Sequence, residues 1–146
     1  GGVAYAEITN AIRTRAVSEV GVYGHSHGGG SVFYISESLN SNRVSIGMFT
    51  IKVTAYVDAI SNEGTTDYDP ETNRPPSTAY HANYYETNSA TDIRVGYLNG
   101  EAVPEANVNL NVNTTAWGAT LGHTTIDTST NVHRLVIDKI IGNVSR

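Results

Sequence analysis

The chain contains no cysteine, which excludes disulfides and thiolate chemistry. That absence leaves the compartment open, because secreted enzymes can also lack cysteine. Positive charge is scarce: 9 Lys and Arg stand against 14 Asp and Glu, a formal net charge of -5. Such a balance offers no basic face for phosphate and argues against nucleic acid as a partner. No apolar run reaches the roughly 18 residues that would suggest a membrane span. No basic stretch followed by an apolar one marks a signal peptide. The first residues are Gly-Gly rather than Met, which suggests processing or truncation. The length, 146 residues, suits a single domain over 1–146 with a core of its own. No internal repeat, low-complexity tract or linker divides it.

What is present reads as alternating helices and strands. Residues 4–17 are expected to be helical, with Ile8, Ile12 and Ala16 at a four-residue spacing. The apolar run "EVGVYG" reads as a buried strand. Val32, Ile35 and Leu39 then place a helix up to about Asn40. Over 48–58 the residues alternate, with Phe49, Ile51, Val53, Ala55 and Val57 on one face of a strand and Thr50, Lys52, Thr54 and Tyr56 on the other. A polar, proline-containing loop covers 61–78. "AYHANYYE" reads as a further strand. "DIRVGYLNGEAV" carries Asn99-Gly100 between apolar residues, a hairpin signal. "ANVNLNVN" alternates as a strand, and a final helix runs from about Thr130 to Ile141 on Val132, Leu135, Val136 and Ile140. The early alternation predicts an α/β fold, a mostly parallel sheet flanked by helices and built on a right-handed βαβ unit.

Chemistry concentrates between the first strand and its helix. Gly24-His25-Ser26-His27-Gly28 is G-x-S-x-G, placed at a strand-to-helix turn. Glycines at 24 and 28 make room for a sharp turn, and Ser26 is presented on a strained backbone. The N–H of His27 and the helix start beyond it point where an oxyanion would form. Gly29 and Gly30 would let the helix pack closely on the sheet. A nucleotide-phosphate loop is excluded, since neither Gly-Lys-Ser/Thr nor G-x-G-x-x-G is present.

A serine nucleophile needs a base and an orienting acid. Asp58, closing the strand after the elbow helix, is the candidate acid. Glu86, ending "NYYE", is its rival, whereas Asp67, Asp69 and Asp92 lie in polar loops. Among five histidines, His123 in "TLGHTTID" is the candidate base, on a loop that Gly122 lets bend. His25 and His27 are too constrained to act as base and would line the site. His81 is expected to point to the sheet or to solvent, and His133 lies on the polar side of the last helix. Tyr56, Tyr84, Tyr85 and Trp117 would line an acyl pocket or serve as core and sheet-face aromatics. "DYDPETN" places oxygen side chains at Asp67, Asp69, Glu71 and Asn73, but Thr72 stands where a calcium loop needs glycine. No metal or other cofactor is expected.

Taken together, "GHSHGGG", the strand ending in "VDAI", "NYYE" and "LGHTTID" before a closing helix resemble the α/β-hydrolase family, in its bacterial lipase/esterase-like members. The resemblance covers nearly the whole chain and implies a triad of Ser26, Asp58 and His123 with His27 in the oxyanion hole. Some relatives take the acid from the later strand, where Glu86 stands. It implies a serine hydrolase acting on small-molecule or lipid carboxylic esters. Only one helix precedes the elbow strand, so the chain resembles the C-terminal half of that fold, without its N-terminal strands. The early loop that supplies a second oxyanion donor is missing with them. The elbow strand would then be an open sheet edge, suited to a homo-oligomer. The alternative is a non-catalytic hydrolase-fold fragment or binding module that pairs with another chain.

Overall fold

A computed structural model describes residues 2–60 and 69–145. Four strands, β1 (Glu19–His25), β2 (Thr50–Val57), β3 (Thr78–Tyr85) and β4 (Val108–Asn111), form one sheet in the order β1-β2-β3-β4. Every neighbouring pair is parallel. The helices are α1 (Gly2–Arg15), α2 (Gly28–Ser41), α3 (Arg43–Ile46), α4 (His123–Ile126) and α5 (Thr130–Asn143). This is the expected α/β arrangement, and β1 is an edge strand.

Both faces of the sheet are covered. On one, Ile12 of α1, Ile35 and Leu39 of α2 and Ile46 of α3 pack with Val20, Phe49 and Ile51. On the other, Val132 and Val136 of α5 pack with Ala55, Val57, Ala82 and Tyr84. A strand covered on both faces reads as a continuous apolar run. That corrects the expectation of a polar face on β2, since Thr54 and Tyr56 are as buried as Ile51 and Val53. The face expected to hold Ile51 together with Val53, Ala55 and Val57 is also divided. The β1–β2 register shifts between Val20 and Gly21, where Val20 pairs with Ile51 but Gly21 pairs with Val53. A one-residue shift of this kind moves side chains to the opposite face. Accordingly, Ile51 packs with α1 and α2, and Ala55 and Val57 pack with α5.

The helices end where backbone geometry dictates. Ala16, expected on the apolar face of the first helix, takes φ 54° and lies beyond its end, exposed. At α5, the Ser129 side chain accepts a hydrogen bond from the Val132 N–H, the usual serine cap. The four-residue spacing then buries Val132 and Val136.

The hairpin expected around Asn99-Gly100 is absent. Residues Asn88–Thr91 and Ile93–Val95 form 3₁₀ turns, and the chain runs without strand pairing from there to β4. Gly100 is engaged elsewhere, as described below. Tyr56 and Tyr84, offered as pocket or core aromatics, are core: they are 0% and 1% exposed. His81, expected toward the sheet or solvent, is wholly buried, with Nδ1 2.8 Å from the Thr54 hydroxyl and its ring edge-on to Tyr56. Of the loop considered for calcium, Asp67 lies outside the described residues. Asn73 donates its amide to the Asp69 carbonyl and the Thr72 hydroxyl.

Candidate functional site

In open parallel sheets the carboxyl ends of the strands are where sites assemble. Here Ser26 follows β1, Asp58 follows β2 and Glu86 follows β3. The Ser26 N–H donates to the Val57 carbonyl at 3.1 Å, and the Asp58 N–H to the Tyr84 carbonyl at 2.7 Å. The strand ladders therefore carry on into the site and fix the backbone beneath each side chain.

Ser26 has φ 56° and Asp58 φ 45°. Both hold the left-handed backbone that non-glycine residues rarely adopt. At the elbow, a Cβ on Gly24 would lie 2.2 Å from the carbonyl oxygen of Gly28, so the crossing of chain over chain demands glycine at 24. Position 28 differs from expectation, because a Cβ there would meet nothing within 4 Å. Gly29 and Gly30 are packed closely, but not against the sheet. Added Cβ atoms would lie 2.4 Å from the Ala59 Cβ and 2.3 Å from Glu71 Oε1, so the elbow helix start is pressed by the segments after β2.

Three side chains meet in line. Ser26 Oγ is 3.0 Å from His123 Nε2, and His123 Nδ1 is 2.7 Å from Asp58 Oδ2. A carboxylate only accepts, so Nδ1 carries the proton and Nε2 is left to accept from the serine hydroxyl. Asp58 is fully buried. Its other oxygen, Oδ1, accepts from the N–H groups of Gly100 at 2.7 Å and Glu86 at 3.1 Å. A Cβ on Gly100 would fall 2.7 Å from that same oxygen. Gly100 is thus a site residue that sequence reasoning assigned to a turn, and its Asn-Gly dipeptide gave no signal of contact with Asp58. The hydrogen bond with Asp58 raises the His123 pKa above the ordinary histidine range, against the opposing effect of burial.

Glu86 does not contact the His123 ring through any hydrogen bond. It is fully buried, and Oε2 accepts from the Ser89 N–H at 2.9 Å. Ser89 Oγ in turn accepts from the His123 N–H at 2.8 Å. The rival acid therefore sits behind the histidine, tied to its backbone through Ser89, a residue the sequence did not single out. Burial pushes the Glu86 carboxyl pKa up. Ligand atoms of Asp58, Glu86 and His123 lie within 4.8 Å of one another. The Asp58 and His123 atoms that face each other are already joined by a hydrogen bond.

His27 caps α2 with φ -57°, exposed, so its N–H precedes the helical ladder at the positive end of the helix. His25 lies against His123 rather than Ser26. His133 is exposed, and its ring contacts the Asp127 carbonyl. Trp117 and Tyr85 lie outside the triad's hydrogen bonds, at the surface and half-buried respectively. Beside His123 a polar cleft of about 610 Å³ opens, walled by Asn88, Asp92, Arg94 and Thr125 among others. Asp92 and Arg94 pair across 2.6 Å in that wall. Comparison with known protein families, with curated proteins and with solved structures finds no match to this chain.

Proposed function

We propose that this chain is a serine hydrolase of the α/β-hydrolase type that cleaves carboxylic esters. The observation that carries the reading is the unbroken line from Ser26 Oγ through the His123 imidazole to Asp58, with Ser26 on a left-handed turn. His123 Nε2 takes the Ser26 proton as Oγ attacks the ester carbonyl carbon. The carbonyl oxygen becomes an oxyanion held by the N–H of His27 at the start of α2. Asp58 keeps the imidazole in the productive tautomer and stabilises the imidazolium that forms. The proton then passes from His123 to the alkoxide leaving group. Water, deprotonated by His123, attacks the acyl-enzyme, and the proton returns to Ser26 as the acid departs. The chemistry calls for no metal or organic cofactor.

The test is hydrolysis of a short-chain nitrophenyl ester by the purified chain and by Ser26→Ala. The proposal expects turnover lost by about 10³-fold or more in the variant. Equal rates in the two proteins would overturn it.

A second reading, a module that pairs with another chain, is favoured by one observation. Among the described residues β1 is an open edge, and beside it Tyr23 is 60% exposed, lining a groove with Ile137 and Ile140 of α5. A concentration-dependent shift in sedimentation, lost on substituting Tyr23→Lys, would support it, and a monomer at all concentrations would oppose it.

A further inference from the structure

The triad accounts for the ring of His123 but not for how its backbone is held. That backbone lies at the start of a four-residue helix after a loop, a poor anchor for a group that must meet Ser26. One side is fixed by Ser89, which accepts the His123 N–H. The other is met by His25, the residue before the nucleophile. His25 Nε2 lies 3.2 Å from the His123 carbonyl oxygen. Its ring stacks on the His123 ring, with centroids 5.1 Å apart and planes 28° from parallel. Its Nδ1 faces Asp127 Oδ2 at 3.7 Å, and Asp127 closes the same short helix.

We infer that His25 is a positioning residue for the base, a strut from the nucleophile's own turn to the backbone and ring of His123. A carbonyl only accepts, so His25 Nε2 carries a proton and donates it to His123. Because His25 adjoins Ser26, the segment that presents the nucleophile also grips the base. A displacement of the elbow then carries His123 with it and preserves the 3.0 Å approach of Nε2 to Oγ. The stacked ring blocks one face of the imidazole and limits rotation about its side-chain bonds. This role rests on the hydrolase reading for its catalytic meaning, but the strut itself is a matter of geometry.

The test compares wild type with His25→Phe, which keeps a stacking ring and loses the donor, and His25→Gln, which keeps a donor and loses the ring. Each is measured for the rate of Ser26 labelling by a fluorophosphonate, for KM against kcat, and for the low-field proton resonance of His123 Nδ1–H. For His25→Phe the expected result is labelling slowed roughly 10–100-fold, the scale of a small misplacement of a reacting group. KM should change little and the resonance should broaden. His25→Gln should recover most of the rate. A folded His25→Phe with wild-type labelling and an unchanged resonance would overturn the inference. So would equal slowing in the two variants, since the donor would then be irrelevant. If the wild type itself does not label, the hydrolase reading fails. The resonance still decides the strut, by its loss or persistence in His25→Phe. If His25→Phe does not fold, His25→Leu, which removes both the donor and the ring, is expected to slow labelling and broaden the resonance, and no change in either would overturn the inference.

Discussion

Ser26 and Asp58 stand at the ends of neighbouring parallel strands, and both hold a left-handed backbone, at φ 56° and 45°. Neither is glycine, so each carries a steric cost that favourable contacts nearby must offset. Ser26 presents Oγ to His123 from that geometry, and Asp58 presents Oδ2 to the other side of the same ring. Strain at the two positions is therefore coupled to the alignment of the triad.

Relief of that strain gives the first prediction. Ser26→Gly and Ser26→Ala both remove the hydroxyl, but only glycine accepts the left-handed backbone freely. Ser26→Gly should be about 1 kcal/mol more stable than Ser26→Ala, from the cost of left-handed geometry in non-glycine residues. Urea midpoints of the two variants check this, and a more stable alanine variant would speak against strain at Ser26.

The second prediction separates the two buried carboxyls. Asp58→Asn removes the acceptor that fixes the His123 tautomer and should lower kcat by up to about 10⁴-fold. Glu86→Gln leaves an oxygen for the Ser89 N–H and should change kcat by less than about tenfold, as for a group acting only through a backbone contact. Rate constants for the two variants with one ester decide between them. If Glu86→Gln is the more damaging, the triad acid has been misassigned.

A pH profile supplies the third. In the proposed mechanism His123 accepts the Ser26 proton only when neutral, so kcat/KM should rise with pH as the imidazole deprotonates. Its hydrogen bond to Asp58 raises that pKa, which places the midpoint of the rise above the ordinary histidine value of about 6.5. The same shift adds stability that is fully present below the unfolded pKa and is lost as pH climbs through the folded one. A midpoint below the ordinary value in the wild type would contradict the Asp58 contact.

Acid stability gives the fourth, away from the site. Burial lowers the His81 pKa to about 3, and Nε2 has no partner among the described residues. The unfolded chain takes up this proton below about pH 6.5. The native state refuses it until near pH 3. Stability should therefore fall with pH across that window, by at most about 1.4 kcal/mol per pH unit for one proton. His81→Gln removes the titration, so its urea midpoint should depend less on pH between 6 and 4. Equal slopes would place the native His81 pKa near its unfolded value.

Much of this was legible in the sequence because it rests on local rules. The elbow announced itself through glycine spacing at a strand-to-helix turn, and the strand-end position of Asp58 and the place of His123 between the last strand and the last long helix followed from element order, although His123 opens the short helix α4 rather than lying in a loop. The structure brings those three side chains together. What escaped depended on contacts between distant segments. Gly100 resembled a hairpin turn because Asn-Gly is a strong local signal, whereas its N–H is held by an oxygen 42 residues away. Ser89 and the His25 contact with His123 have no pattern in the chain, since short polar residues and histidines occur in any loop. The division of Ile51 from Val53 depends on a register shift against β1, and alternation within one strand cannot report its partner's register.

The most direct test of the central claim is reaction of the purified chain with a fluorophosphonate, followed by mass mapping of the adduct, alongside Ser26→Ala. The account predicts one adduct, on Ser26, absent from the variant. A folded wild-type chain that acquires no adduct, or acquires it equally in Ser26→Ala, would contradict it.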